Sequence, residues 1–410
     1  MKVRLILVAV ALTALIATGC GSSSSKSSSA SASAASGGSS SSSSSSSASA
    51  ASTKPCNASI AVEGPFTGPV AQVGLEQLHF AQLAVANDNK SLGIHVTLAQ
   101  DDTQLTPSIA TTKTESIIAT NAVAVIGPSG SQEVEAVGPL LARAGLAAIS
   151  GSATLPALAG GANTTFFRVV PDDDVQGPQD ANYIVKHLHP KGVLIIDDDE
   201  AYSQGITKVM IPILEKAGIK VNHQTINGTD TGATLSNALS SLVTSQLTSN
   251  EQVAVLPWQA AANAQQFGLD AEQAHKKVIL FGTDGTNSPS QFHIPGTYIS
   301  TFGPDIASSS NAMDKTLVQQ VAKYGPYGAF GVPTYAATDV VMQAIGSVCK
   351  SGQTPSRSNV LAAIKKTNIP ASKNILGVPI AFTSTGNLTG SPGYLFHVNS
   401  KGKYIEIPPK

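Results

Sequence analysis

The first side chains whose types and spacing could do chemistry are Ser129 and Ser131, set among glycines in "GPSGSQ" (127–132). This stretch lies between the apolar run "AVAVI" and the amphipathic run "EVEAVGPLLARAGL", so it reads as a strand-to-helix turn. A phosphate loop needs the six-residue glycine fingerprint or a following Lys-Ser/Thr, and neither is present. A nucleophile elbow needs G-x-S-x-G, but Ser131 replaces the final glycine. The late histidines that could serve as a base fit a triad poorly: His293 lies in "QFHIP" and His397 in the apolar "YLFHVN". A carboxylate site needs unpaired backbone N–H groups, a positive dipole end and a hydroxyl donor, all of which a helix beginning near Ser131 supplies. The plainer reading, that Ser131 only caps its helix, stands equally well on the local sequence.

The elements around this turn decide what else can reach it. From Ser59 onward short apolar runs alternate with longer helical patterns: "SIAVE", "IHVTL", "AVAVI", "LAAIS", "FFRVV", "GVLIID", "IKVNH", "QVAVL", "KVILF" and "TYIST". Such alternation predicts α/β architecture, with parallel sheets covered by helices on both faces. Ligands of such sheets bind beyond the carboxyl ends of the strands. Standing there are "GPFTGPVAQ", "GPSGSQ", "GSATLP", "DDEAYSQG", "PWQAA" and "GTDGTNSP". Together they offer hydroxyls, glycines, Tyr202, Trp258 and one isolated acid, Asp284, a set suited to a small polar molecule. The acid run Asp197–Glu200 lacks the calcium-loop pattern, and Asp172–Asp174 read as linker.

Length implies two doubly wound domains, because the chain after the leader exceeds what one core usually supports. Proline-, glycine- and aspartate-rich segments at "VVPDDDVQGP", "STFGPD" and "FTSTGNLTGSPG" are candidate crossings between them. Three crossings make a three-strand hinge: an N-terminal lobe of 55–171 and 304–384, and a C-terminal lobe of 172–303 and 385–410. A net charge of −1 with 12% charged residues argues against nucleic acid as a partner. No set of metal-spaced ligands or cofactor fingerprint is present, so neither metal nor cofactor is expected.

The chain opens "MKVRLILVAVALTALIATGC", with Lys2 and Arg4 ahead of an apolar stretch too short to span a bilayer. Residues 1–19 read as a secretory signal, and Gly19-Cys20 as the cleavage point of a lipoprotein acylated at Cys20. Residues 20–54, almost only Ser, Ala and Gly, read as a disordered tether with an r.m.s. reach of roughly 30 Å. The other two cysteines, Cys56 and Cys349, form an even pair in an exported chain and are expected to be bridged.

"GPFTGPVAQVG", "DDTQLTPSIA", "AVIGPSGS", "AISGSAT", "FFRVVPDDDVQGPQDANYIV", "DDDEAYSQGI", "ILFGTDG" and "PTYAATDVVMQAI" occur in this order. The series resembles the substrate-binding proteins of branched-chain amino-acid ABC transporters, over essentially all of 58–400. The resemblance implies a type I periplasmic-binding fold and no enzymatic activity. It implies a lipid-anchored extracytoplasmic monomer that closes on a small zwitterion and delivers it to ABC permease subunits. Ser131, with Ala153 and Thr154, would hold the α-carboxylate, and Asp284 with the Ala153 carbonyl would take the α-ammonium. Tyr202 and Trp258 would close over the ligand, Phe66 and Thr67 would stand at the pocket wall, and Tyr335 would lie near a further pocket position. Val73 stands where the family often has an aromatic. A ligand-binding sensor with a partner protein, and a secreted serine hydrolase using Ser129, are the alternatives.

Overall fold

The computed structural model describes residues 55–408 apart from 326, 391 and 392. The expected signal segment, Cys20 and the serine-rich tether lie outside the described residues. The chain begins β1 (Asn57–Gly64), α1 (Ala71–Leu92), β2 (His95–Asp102), α2 (Pro107–Ile118), β3 (Ala122–Ile126), α3 (Ser131–Arg143), β4 (Ala147–Ser150) and β5 (Phe166–Arg168). These strands form a parallel sheet of order β2-β1-β3-β4-β5. Every residue of β3 and β4 is buried, as expected of unbroken apolar runs with helices on both faces.

A second alternation follows: α4 (Asp173–Tyr183), β6 (Gly192–Asp197), α5 (Ala201–Lys216), β7 (Lys220–Thr225), α6 (Gly232–Ser245), β8 (Glu251–Leu256), α7 (Ala261–Gln273), β9 (Ile279–Gly282) and β10 (Tyr298–Thr301). The chain then returns to the first sheet with α8 (Ala312–Val321), α9 (Gly331–Lys350) and α10 (Arg357–Ile364). Of these, α9 packs on α1 and on β3 and β4. A small ribbon of β11 (Asn368–Ile369) and β12 (Ile380–Ala381) precedes β13 (Tyr394–Val398) and β14 (Tyr404–Ile407). The second sheet runs β7-β6-β8-β9-β10-β13-β14, its last two strands antiparallel. The short strands β13 and β14 lie beyond "TYIST", the last run in the alternating series read from the sequence.

Each sheet has an apolar core on both faces. In the first half one core gathers Ile60, Phe80 and Ile345 beneath α1 and α9, and the other gathers Val125, Val134 and Leu141 beneath α2 and α3. In the second half the cores centre on Trp258 and Phe267, and on Ile195 and Met210. A small fifth cluster of Val170, Phe302, Ala329 and Phe330 sits where the chain passes between the sheets. A turn at 384–386 follows β12. Arg168 donates its backbone N–H to the Gly386 carbonyl at 3.0 Å and its side chain to Asn387 at 2.7 Å, which keeps that turn beside β5.

Cys56, just before β1, is bonded to Cys349 near the end of α9, with the sulfurs 1.98 Å apart. Among the described residues no helix is long and apolar enough to cross a membrane.

Candidate functional site

The loops after β1, β2, β3, β4, β6, β8 and β9 converge on a narrow cavity of about 20 Å³, space for little more than a water molecule and far smaller than the usual ligand site. One wall is apolar and comes from Pro65, Val70, Val73, Leu105 and Phe330. A second wall carries the hydroxyls of Ser129, Ser131 and Ser152. Facing both, from the other sheet, are Tyr202, Gln259, Asp284 and Gly285.

The hydroxyl wall is set by the turn after β3. Gly127 has φ +108, and a Cβ there would stand 2.4 Å from the Glu63 carbonyl oxygen, so only glycine fits. Gly130 is the N-cap of α3, and its N–H donates to the Glu133 carboxylate at 2.8 Å. Ser131 is therefore the first residue inside the helix rather than its cap. Its hydroxyl oxygen accepts from the Leu155 N–H at 3.3 Å, which joins the turn after β3 to the loop after β4. The first amides of a helix have no intrahelical acceptor, so this corner keeps donors for an anion.

Ser129 is bound into a local network. Its hydroxyl donates to Gln77 Oε1 at 2.5 Å, Gln77 Nε2 donates to Ser152 Oγ at 2.9 Å, and Ser152 donates to the Ser129 carbonyl at 2.7 Å. Nearby, the fully buried Arg168 donates to the carbonyls of Ala153 (3.3 Å) and Leu155 (2.9 Å) and pairs with Asp172 at 3.4 Å. Its guanidinium stabilises the loop after β4 from behind, leaving neutral donors on the hydroxyl wall.

The facing wall is acidic. Asp284 is buried and accepts from the Tyr202 hydroxyl at 2.7 Å; that hydroxyl lies 2.6 Å from Thr283 Oγ1 and accepts from the Gly285 N–H at 3.0 Å. A Cβ on Gly285 would meet the Trp258 carbonyl at 2.3 Å, so glycine lets the two loops touch. Burial pushes the Asp284 carboxyl up to about 6, against the opposing hydrogen bond of Tyr202. Asp173, the first residue of α4, is fully buried with neither carboxyl oxygen hydrogen-bonded. Burial raises it to about 8, and the charge of Asp284 adds to the rise while Arg168 opposes it. Asp173 lies at the inner end of the loop after β4, where its N–H donates to the Thr154 carbonyl at 3.0 Å.

Two side-chain pairs bridge the halves across this cavity. Gln132 Nε2 donates to Gln259 Oε1 at 2.9 Å, and Gln72 donates to the Ser288 hydroxyl.

Of the residues singled out from the sequence, the structure brings Ser131, Tyr202 and Asp284 together around the cavity. Ala153 and Thr154 are buried in the loop after β4, beside the lining residue Ser152. Phe66 and Thr67 do not line the cavity. Their N–H groups donate to Asp102 at 2.8 and 3.2 Å, and their neighbour Pro65 forms the wall instead. Trp258 is also placed differently from expectation: its ring packs edge-on to Phe267 in the core at 6.0 Å, and the next residue, Gln259, reaches the cavity. Successive residues of an extended loop face opposite ways, which is why one of the pair is core and the other site. Tyr335 faces α1, where its hydroxyl accepts from Asn87 at 3.1 Å in a separate hollow; Phe330, just ahead of α9, supplies the aromatic wall.

Asp173 was the most consequential omission, because a run of three aspartates after a proline reads as a linker. The signal that could have found it is an acid placed to open a helix. Among the described residues no group of three or more His, Cys, Asp or Glu is placed to hold a metal ion.

The chain matches the periplasmic binding protein family over residues 58–403. The Leu/Ile/Val-binding protein BraC3 of Rhizobium johnstonii is 27% identical over 358 residues, which is 82% of this chain and 90% of that protein. In fold the chain resembles the branched-chain amino acid transporter substrate-binding protein LivJ of Streptococcus pneumoniae, solved in complex with isoleucine. That likeness has a TM-score of 0.72 and 21% identity, covering 86% of this chain and 100% of LivJ. A solute-binding protein of an ABC transporter from R. palustris, solved with benzoate, also scores 0.72 at 17% identity, covering 85% and 95%. Fold likeness thus extends to proteins with unlike ligands, while the family match takes in both sheets and every loop of the cavity. The chain belongs to the periplasmic binding protein family and has its type I fold.

Proposed function

We propose that this chain is the solute receptor of an ABC importer and that it closes on a small amino acid with an aliphatic side chain. The carrying observation is the division of one cavity into an apolar wall, a corner of neutral donors at Ser131, and a buried acid at Asp284. Such a division matches the three parts of an apolar amino acid. The ligand carboxylate would sit at the Ser131 hydroxyl and the first amides of α3, with Ala153 and Thr154 beside it. Its ammonium would sit at Asp284, held by Tyr202, with Asp173 close behind. The side chain would lie against Val70, Val73, Leu105 and Phe330.

Hydrogen bonds to charged groups contribute about 1.5–3 kcal/mol each. Four or five of them, less the ordering cost, reach the roughly 8 kcal/mol of micromolar binding. The names of the curated relatives point to the same ligand class. The benzoate-bound neighbour marks the contrast, since a ligand without an amine would leave Asp284 and Asp173 buried and unpaired.

Lipid anchoring at Cys20, an extracytoplasmic location, a monomeric state and delivery to permease subunits complete the proposal. The division into lobes of 55–171 with 304–384 and 172–303 with 385–410 enters the proposal as well. The hydrolase alternative loses support from the network that binds Ser129 to Gln77.

A thermal-shift panel of amino acids, amides and deaminated acids tests the reading. Stabilisation by leucine, isoleucine or valine is the expected result. Stabilisation only by compounds without an ammonium group would sink it.

A further inference from the structure

One acid on the first sheet's side holds a wall of the cavity without lining it. Glu76 is buried on α1. Its Oε2 accepts from the Gly328 N–H at 2.6 Å, and its Oε1 accepts from the N–H groups of Phe330 at 2.9 Å and Gly331 at 2.5 Å. Among the described residues no Lys, Arg or His pairs with it. The three amides are therefore what offsets the burial of this carboxyl.

The segment so held opens α9, and Phe330 is its N-cap. A phenylalanine side chain has no oxygen to satisfy the first amides of a helix, so the cap comes from α1 instead. Phe80, one turn further along α1, helps to seat the segment: a Cβ on Gly331 would stand 2.4 Å from the Phe80 ring, so glycine lets α9 begin directly against α1. Phe330 packs edge-on to Phe302 at 5.8 Å and forms the aromatic part of the apolar cavity wall. Val73, one turn before Glu76, packs against the same cluster and lines the same wall. One face of α1 thus supplies an apolar contact at Val73 and the anchor for another at Phe330. A backbone N–H can only donate, so both Glu76 oxygens meet this segment as acceptors.

We propose that Glu76 is a positioning residue for the side-chain end of the ligand: by accepting the Gly328, Phe330 and Gly331 amides it fixes Phe330 in the cavity wall and so sets the preference among aliphatic side chains. In so narrow a cavity the place of that ring decides how closely a side chain is met. The inference rests on the amino-acid reading of the cavity and deepens it, because Ser131 and Asp284 would hold every α-amino acid alike.

Glu76→Gln is the direct test, since a glutamine keeps the size, accepts on one oxygen only and turns its own N–H donors toward the remaining amide. Dissociation constants are measured by titration calorimetry for leucine and for alanine, which has the same ammonium and carboxylate but almost nothing to lay against Phe330. Wild-type protein is expected to prefer leucine. In Glu76→Gln that preference should shrink by about fourfold or more, the worth of one methylene group no longer buried, with alanine affinity within twofold of wild type. Phe330→Ala should shrink it too, and adding Glu76→Gln to Phe330→Ala should change it no further. A wild type without the preference, an unchanged preference in Glu76→Gln, equal weakening of both ligands, or a further fall in the double variant would overturn the proposal. Should Glu76→Gln not fold, Glu76→Asp, which draws the carboxyl back by one methylene group, decides by the same two ligands. Wild-type protein that binds neither ligand would overturn the amino-acid reading itself, and this inference with it.

Discussion

The Tyr202 hydroxyl donates to Asp284 Oδ1 at 2.7 Å, and both groups are buried on the second sheet's side of the cavity. The carboxylate is therefore aimed before any ligand arrives. Tyr202→Phe keeps the ring and removes the donor. Since a hydrogen bond to a charged group contributes about 1.5–3 kcal/mol, leucine binding should weaken by about 10- to 100-fold. Calorimetry on Tyr202→Phe checks this, and an affinity within twofold of wild type would mean that the ammonium is held elsewhere.

Ligand affinity should depend on pH through Asp284. Its carboxyl stands at about 6 in the empty protein because burial disfavours its charge. An ammonium needs the ionised form, so binding is supported above pH 6 and opposed below it. Between pH 7.5 and 7 the affinity should be nearly flat, and below pH 6 it should fall toward tenfold per unit. Asp284→Asn should bind weakly at every pH and lack this slope. A wild-type profile flat down to pH 4.5 would contradict the assignment.

Stability of the empty protein should run the other way. Glu63 in β1 and Asp173 are both raised to about 8, by burial first of all. Their folded values lie above their unfolded ones, so their contribution is fully present below about pH 4 and is lost as pH rises through 8. The melting temperature of ligand-free protein should fall from pH 5.5 to pH 8.5. Glu63→Gln should flatten that fall without altering leucine affinity, because Glu63 lies off the cavity. A ligand-free melting temperature that rises with pH, in wild type and Glu63→Gln alike, would refute the claim.

Much of this site was legible in the sequence because parallel sheets put ligand contacts at strand ends, and strand ends can be found from apolar runs. Ser131, Tyr202 and Asp284 all follow such runs directly, and all three line the cavity. What the pattern does not carry is facing. Trp258 and Gln259 are adjacent, and only packing decides that the larger apolar ring enters the core while the polar neighbour takes the site. Tyr335 and Phe330 pose the same problem at the start of α9, where a shift of little more than one turn moves an aromatic from the cavity to the α1 face. The acid Asp173 stayed unread for a different reason: its burial comes from packing α4 against the loop after β4 and against α5, which no local spacing reveals.

The Cys56–Cys349 bridge should govern stability and leave binding alone. It closes a chain separation of 293 residues, and constraining so long a loop in the unfolded chain stabilises the fold by up to about 5 kcal/mol. Its distance from the site follows from the two elements that it joins. Cys56 precedes the eight-residue β1, whose far end runs into the cavity loop at Pro65; at about 3.3 Å per residue that is roughly 25 Å. Cys349 lies at the end of the twenty-residue α9, whose other end adjoins Phe330 on the cavity wall; at about 1.5 Å per residue that is roughly 30 Å. Replacing both cysteines by serine should therefore lower the melting temperature by roughly 5–10 °C, with leucine affinity within twofold of wild type. Loss of affinity in a protein that still melts cooperatively would show that the bridge holds the two ends of the first sheet in register for closure, rather than only restricting the unfolded chain.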